Sequence, residues 1–136
     1  MQRILIVDDH PELRKLVALT LGAGYAIREA RNGIEALEGC RDFRPDVVLL
    51  DIAMPGSVDG FAVCREIRRD AAIADTRVVM LSAHARTADL AAGRECGADA
   101  YLVKPFSPLA LMELVARLTG ESDPPARRRA PQEIRP

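Results

Sequence analysis

The sequence of 136 residues has few of the features that cross-link small proteins or hold them in membranes. Its three cysteines, Cys40, Cys64 and Cys96, are odd in number and form no CxxC pair, which argues against a disulfide framework and a zinc site. No apolar run approaches the roughly 20 residues that cross a bilayer. The N-terminus also lacks the pattern of a secretory signal peptide. We therefore expect one soluble, cytoplasmic domain with buried thiols.

An excess of charge of one sign is also missing, because 19 basic residues stand against 20 acidic ones. The net charge of -1 gives no reason to expect a nucleic acid or an anionic membrane as a partner. Only segment 121–136 leans basic, and it is rich in proline and arginine. Because it has almost no large apolar residues to offset the entropy of ordering, we expect a disordered tail after a domain over residues 1–120.

Five short apolar or β-branched runs alternate with segments of helix length, which is typical of a parallel sheet covered by helices on both faces. Three of the runs are continuously apolar, as strands buried on both faces are, whereas the second run is half polar and fits a sheet edge. The intervening segments show apolar residues at helical spacing. The runs cover residues 3–7, 25–30, 47–50, 77–81 and 100–103.

Polar residues whose side chains can bind ligands or take part in a reaction directly follow four of these runs. Asp8 and Asp9 follow the first run, Asp51 the third, Ser82 the fourth and Lys104 the fifth. The carboxyl ends of parallel strands share one edge of a sheet, and open α/β folds bind ligands in the crevice there. We therefore expect three carboxylates, a hydroxyl and an ammonium group to converge at this edge.

The chemistry of such a group of residues favours a metal ion and a phosphoryl group. Three carboxylates repel one another, and an acidic cluster of oxygen ligands suits a hard divalent cation such as Mg2+. A cation also offsets the charge of a phosphoryl group that approaches a carboxylate, so an aspartate can act as its acceptor. Lys104 adds a second positive charge, and Ser82 can donate a hydrogen bond to a phosphoryl oxygen.

The ordered motifs RILIVDD, VVLLDIAMPG with DGF, MLSA and KPF resemble the receiver domain of bacterial two-component response regulators over residues 1 to about 120. The resemblance implies that Asp51 is the phosphoacceptor, Lys104 the phosphate-binding lysine and Ser82 the switch hydroxyl. It also implies that Tyr101 turns inward when Ser82 moves toward the phosphoryl group. A second reading of Tyr101, with a packed ring and a hydroxyl in water, stays open.

The same resemblance implies a bound Mg2+ ion, held by Asp8, Asp9, Asp51 and the main-chain carbonyl of Ala53. It further implies a cis peptide bond between Lys104 and Pro105, which cannot be expected from sequence alone because cis is the minority form of X-Pro bonds.

The fold that the resemblance implies is a flavodoxin-like, doubly wound (βα)5 three-layer sandwich with strand order 2-1-3-4-5. The implied function is a phosphorelay switch, which takes its phosphoryl group from a sensor histidine kinase or a histidine phosphotransfer protein and changes its binding to a downstream protein. Its phosphorylation and dephosphorylation would be self-catalysed, and it would act on no other substrate. Because segment 121–136 is too short for an output domain, we expect a stand-alone receiver or one cut from a longer regulator.

The loop after the third run departs from the family pattern. Three residues, Gly56, Ser57 and Val58, separate Met-Pro from Asp-Gly, where the family usually has two. We expect the loop to bulge at Gly56 without moving Asp51.

Four further residues have local explanations. Asp59 is expected to cap the next helix, and Gly60 to begin it. His10 is interpreted as a residue of a helix start, without a chemical role. For His84, two readings stay open, one facing the site and influencing how water reaches it, the other an exposed loop residue.

Two other functions compete with the phosphorelay switch. A phosphatase of the haloacid dehalogenase type also forms an aspartyl phosphate beside Mg2+, but it needs a second aspartate two residues after the nucleophile, where this chain has Ala53. A receiver-fold scaffold would bind partners without phosphorylation. A scaffold has no physical need for the acidic cluster, so the sequence favours the switch.

Overall fold

The computed structural model describes residues 1–83 and 87–120, in which five strands and five helices alternate. Segment 121–136, for which we expect a disordered tail, and His84 lie outside the described residues. Among the described helices, none is long and apolar enough to span a bilayer. The strands are Gln2–Val7 (β1), Tyr25–Ala30 (β2), Val47–Asp51 (β3), Arg77–Ser82 (β4) and Ala100–Val103 (β5). The helices are Pro11–Leu21 (α1), Gly33–Phe43 (α2), Gly60–Arg69 (α3), Thr87–Cys96 (α4) and Pro108–Gly120 (α5).

All strand pairs of the sheet are parallel, and the strands follow the order β2-β1-β3-β4-β5. This confirms the flavodoxin-like order that the motifs imply, with the half-polar β2 at one edge. The register pairs Val7 with Leu50 and Ser82 with Val103. Because these pairs are the last or nearly the last residues of their strands, the polar residues at the strand ends meet at one edge.

Side chains of alternate strand residues enter two separate cores. Leu5, Val7, Val48 and Leu50 pack toward α2, α3 and α4. The intervening positions of β1 and β3 face α1 and α5 across the other side of the sheet. Each fully buried aliphatic side chain contributes about 1.5–3 kcal/mol, so the continuously apolar strands are stabilised from both faces.

Glycines allow the loop after β3 to pack closely against its surroundings. A Cβ atom on Gly60 would collide with the carbonyl oxygen of Asp51, and one on Gly33 would collide with the carbonyl oxygen of Val58. Gly56 has φ 95°, a conformation that favours glycine. Asp51 is paired with Leu81 in the sheet, and a bulge of the longer loop at Gly56 stays a prediction.

The cysteines are buried free thiols on three helices, as the sequence predicts. Cys40 lies on α2, Cys64 on α3 and Cys96 on α4. The thiol of Cys64 donates to the carbonyl oxygen of Cys96 at 3.2 Å. Burial raises the pKa of the Cys40 thiol to about 12. A thiol in this state packs as a small apolar group rather than as a nucleophile.

The amino ends of β4 and β5 are held by a partly buried ion pair. Arg68 on α3 donates to Asp99 Oδ2 at 2.9 Å and to the carbonyl oxygens of Gly97 and Thr76. The same oxygen of Asp99 accepts the main-chain N–H of Val78 at 2.7 Å. This network joins α3 to the start of β4 and to the turn before β5.

Candidate functional site

The carboxyl ends of β1, β3 and β5 bring two buried carboxylates and a lysine together. Asp8 directly follows β1, Asp51 ends the neighbouring β3, and Lys104 directly follows β5. Lys104 Nζ lies 2.8 Å from Asp8 Oδ2 and 3.5 Å from Asp51 Oδ2. The lysine therefore reaches past the end of β4 to contact both acids. Its peptide bond to Pro105 is cis, as the resemblance implies.

The two acids differ in the free energy of their charged forms. Burial is the largest influence on Asp51, and together with the charge of Asp8 it raises the pKa of Asp51 to about 6 against the opposing attraction of Lys104. Burial also favours protonation of Asp8, but hydrogen bonds from Lys104 and from the main chain of His10 leave the pKa of Asp8 below its usual value. Asp8 therefore ionises more readily than Asp51, whose charged form is less favourable in this site.

Asp9 and Ala53 complete the set of residues for which a metal role is predicted. Asp9 Oδ1 is a buried atom that accepts no hydrogen bond from the described residues. The Ala53 N–H donates to Asp51 Oδ1 at 3.2 Å, so this residue adjoins Asp51, and a metal role for its carbonyl group stays a prediction. Ligand atoms of Asp8, Asp9 and Asp51 lie within 4.8 Å of one another. An unsatisfied oxygen among clustered carboxylates fits a divalent cation.

Ser82 and Tyr101 lie behind this acidic edge. Ser82 is the buried last residue of β4, the strand next to β3. The Tyr101 side chain is only 1% exposed. Burial raises the pKa of Tyr101, while a hydrogen bond with the Ser82 side chain acts in the opposite direction. The ring of Tyr101 is thus already turned inward and its hydroxyl interacts with Ser82, so a hydroxyl in water is wrong for this residue, while its role in a switch stays a prediction.

His10 occupies the helix start that the sequence predicts, but its side chain has a place that the sequence reasoning missed. It is the N-cap residue of α1, and its side chain makes no capping hydrogen bond. Its Nδ1 atom instead lies 3.0 Å from Asp8 Oδ1 and 3.2 Å from Asp9 Oδ1. The signal in the sequence is an imidazole directly after two acids at a strand end.

Arg14 is a second residue that sequence reasoning missed. Its Nη1 donates to the main-chain carbonyl oxygen of Asp8 at 2.6 Å, and its Nε pairs with Glu29 at 3.0 Å. The arginine thereby connects α1 to the strand end that carries Asp8. Asp59, by contrast, behaves as predicted, because its Oδ1 accepts the N–H of Ala62 at the start of α3.

Comparison with known proteins gives the family of the chain. The family described as response regulator receiver domain matches residues 4–116. The DNA-binding response regulator MtrA of Mycolicibacterium smegmatis is 43% identical over 127 residues, which are 92% of this chain and 54% of that protein. The chain thus spans about half the length of the curated relatives it matches. These relatives are described as DNA-binding, which conflicts in part with the prediction that this chain has no nucleic-acid partner, although the chain matches only about half of their length.

Solved structures give the same family. The chemotaxis protein CheY4 of Vibrio cholerae has a TM-score of 0.81 at 34% identity, with 87% of this chain and 98% of that chain covered. The response regulator DrrB of Thermotoga maritima, described as an OmpR/PhoB homologue, has a TM-score of 0.79 at 29% identity, with 88% and 53% covered. The sequence match, the strand order and the acidic edge agree, and the chain belongs to the receiver domains of two-component response regulators.

Proposed function

We propose that this receiver takes a phosphoryl group onto Asp51 from a phosphohistidine of a sensor histidine kinase or a histidine phosphotransfer protein. The observation that carries the proposal is the pairing of Asp51, whose pKa is raised to about 6, with Lys104 Nζ at 3.5 Å on the carboxyl edge of the sheet. At neutral pH the Asp51 carboxylate is ionised, which a nucleophile requires, and the ammonium group of Lys104 lies beside it.

The transfer is a displacement at phosphorus. A carboxylate oxygen of Asp51 attacks the phosphorus atom, the new P–O bond forms as the P–N bond to the donor imidazole breaks, and the released imidazole nitrogen keeps the electron pair. Lys104 is placed to leave its contact with Asp51 Oδ2 and to pair with a phosphoryl oxygen, since its ammonium group rotates on a flexible stem.

The residues proposed to hold Mg2+ are Asp8, Asp9, Asp51 and the carbonyl group of Ala53. When bound, the ion neutralises charge on the phosphoryl oxygens during transfer. Asp8 is suited to its part because its lowered pKa keeps it ionised, and Arg14 holds the Asp8 main chain in place.

The output of the switch is proposed to run through Ser82 and Tyr101. In this proposal the Ser82 hydroxyl moves to donate to a phosphoryl oxygen on Asp51, and the movement would change its hydrogen bond with Tyr101. Tyr101 lies in β5 beside α4 and α5, so its adjustment alters a face that a downstream protein can bind. A cytoplasmic location fits a domain of this kind and remains a prediction.

The chain itself is proposed to catalyse the transfer, so a small acyl phosphate can replace the kinase. We expect the full chain, incubated with Mg2+ and acetyl phosphate, to gain one phosphoryl group in its intact mass. The gain should vanish with a chelator and in Asp51→Asn. Modification that survives Asp51→Asn would overturn the proposal.

The two competing functions predict different results in assays of partner binding and of phosphomonoester turnover. A scaffold would bind its partner equally well with and without the Asp51→Asn substitution. A phosphatase would turn over a phosphomonoester continuously, whereas a receiver stops after one phosphoryl group for each chain until its own acyl phosphate hydrolyses. Ala53 stands where that phosphatase family needs its general acid, so we expect no such turnover.

A further inference from the structure

The imidazole of His10 lies among the carboxylates of the candidate metal site. One ligand atom each from Asp8, Asp9, His10 and Asp51 can be chosen so that all four lie within 4.8 Å of one another. The His10 side chain is 71% exposed, so it approaches the site from the solvent side, while Asp8 and Asp51 approach from the protein. The cluster is therefore a mixed set of nitrogen and oxygen donors.

The distances at His10 fit neighbouring ligands of one cation. Six-coordinate divalent ions with bonds of about 2.1 Å keep adjacent donor atoms roughly 3.0 Å apart. His10 Nδ1 lies 3.0 Å from Asp8 Oδ1 and 3.2 Å from Asp9 Oδ1. Asp9 Oδ1, moreover, is the buried oxygen that accepts no hydrogen bond from the described part of the chain.

The helix start does not explain the direction of the His10 ring. N-cap side chains usually accept a hydrogen bond from an N–H group of the first turn, but the His10 ring makes no such bond. The main-chain N–H of His10 already donates to Asp8 Oδ1 at 2.8 Å, so the backbone is held without the ring. The ring is instead directed to the acidic pair by a hydrogen bond between Nδ1 and Asp8 Oδ1 at 3.0 Å, and a cation bound at Nδ1 would replace that hydrogen bond and its proton.

We propose that His10 is a metal ligand of this site and makes it select first-row transition cations over Mg2+. Imidazole nitrogen binds such ions well, whereas Mg2+ prefers oxygen ligands and keeps several waters. The inference rests on the metal site of the proposed function and adds one ligand to it.

The test compares His10→Phe with the unsubstituted full chain. Phenylalanine keeps a planar ring at an exposed position and removes both nitrogens. Calorimetric titration with Co2+ should show affinity at least about tenfold weaker in His10→Phe, and titration with Mg2+ should show a change of less than about twofold. Glu12→Gln, an exposed substitution two residues along, is the control for long-range charge and should change neither affinity by more than about twofold.

A spectroscopic measurement identifies the nitrogen directly. Electron spin-echo modulation of bound Mn2+ should show coupling to 14N in the unsubstituted chain and lose it in His10→Phe. Equal weakening of Co2+ and Mg2+, unchanged Co2+ affinity or absent 14N coupling would each overturn the role of His10. None of these results would touch Mg2+-dependent modification of Asp51, whereas a chain that binds no divalent cation at all would remove the metal site of the proposed function.

Discussion

Asp51 is placed where its negative charge is unfavourable until a cation arrives. Burial is the main reason that its pKa is raised to about 6, and the nearby charge of Asp8 adds to the effect. Lys104 opposes both influences only in part. The site thus contains an anion whose repulsion the proposed Mg2+ ion would relieve, which would couple occupation of the site to the stability of the fold.

Substitution of Asp51 should therefore stabilise the metal-free protein. In the absence of divalent cations at pH 7.5, we expect Asp51→Asn to increase the free energy of unfolding by about 1–3 kcal/mol, because the ionised carboxylate is no longer buried. Urea unfolding followed by circular dichroism measures this difference.

The pH dependence has a defined sign. An acid whose pKa is higher in the folded state disfavours folding most above that pKa, and the penalty disappears as the pH falls below the pKa of the unfolded chain. The advantage of Asp51→Asn should thus shrink as the pH falls through about 6 toward 4. A variant that is less stable than the original at pH 7.5 without metal would contradict this account of Asp51.

Lys104 competes with a divalent cation for the same carboxylates. Its Nζ is 2.8 Å from Asp8 Oδ2, so its positive charge repels an incoming ion. We expect Lys104→Met to lower the dissociation constant for Mg2+ by about tenfold, or about 1.4 kcal/mol. Calorimetric titration tests this, and weaker Mg2+ binding in the variant would show that the lysine organises the acids instead of competing for them.

The loop after β3 is held in position by close contacts of its main chain. Gly60 begins α3 directly against the Asp51 carbonyl oxygen, so the start of this helix and the end of β3 fix each other. Between these two points of the chain, Gly56 has φ 95°, a conformation that favours glycine.

Gly60→Ala should disturb this contact. We expect the free energy of unfolding to fall by about 1–3 kcal/mol and modification of Asp51 to slow, because the new methyl group must push the Asp51 carbonyl aside. Gly24→Ala is the matched control, since its Cβ meets no atom within 4 Å, and we expect a change within about 1 kcal/mol. Equal effects of both substitutions, measured by urea unfolding, would count against the close contact.

Sequence patterns predict the elements better than the directions of side chains. The continuously apolar runs at β1, β3 and β4 predict buried strands, and the polar residue after each run predicts the site. The same patterns do not show that His10 turns toward Asp8 and Asp9 or that Arg14 reaches the Asp8 carbonyl oxygen. Those contacts depend on how α1 leaves the end of β1, which local sequence does not encode.

At the scale of the whole molecule, periodicity alone predicts an α/β sandwich, and only the family resemblance supplies the strand order. Parallel strands with buried faces can be arranged in several orders, because the apolar pattern of a central strand is the same wherever it lies. The half-polar β2 limits the choice by marking an edge. The register that joins Asp51 to its partners is therefore a property of the topology, not of any one segment.

The candidate site lies at the carboxyl ends of the strands, whereas the ion pair of Asp99 lies at their amino ends. At the edge opposite Asp51, Asp99 is 6% exposed and pairs with Arg68. We expect Asp99→Ala to lower the free energy of unfolding by about 3 kcal/mol, because Arg68, the buried Arg77 and the Val78 N–H lose the same carboxylate. Phosphorylation of the folded fraction should keep its rate.

The control for Asp99 is Glu66→Ala, which breaks the exposed contact with Arg69. Such surface pairs contribute less than about 1 kcal/mol, so this variant should unfold almost like the original. If Asp99→Ala slowed phosphorylation while remaining fully folded, the proposed independence of the two edges would be wrong.

The most direct test of the central claim is to identify the residue that carries the phosphoryl group. The full chain is treated with acetyl phosphate and Mg2+, and borohydride then reduces the acyl phosphate, as a hydride donor, to the corresponding alcohol. Peptide mass spectrometry should find homoserine at position 51 alone, and none when Mg2+ is chelated. Homoserine at position 8 or 9, or at no position, would contradict Asp51 as the phosphoacceptor.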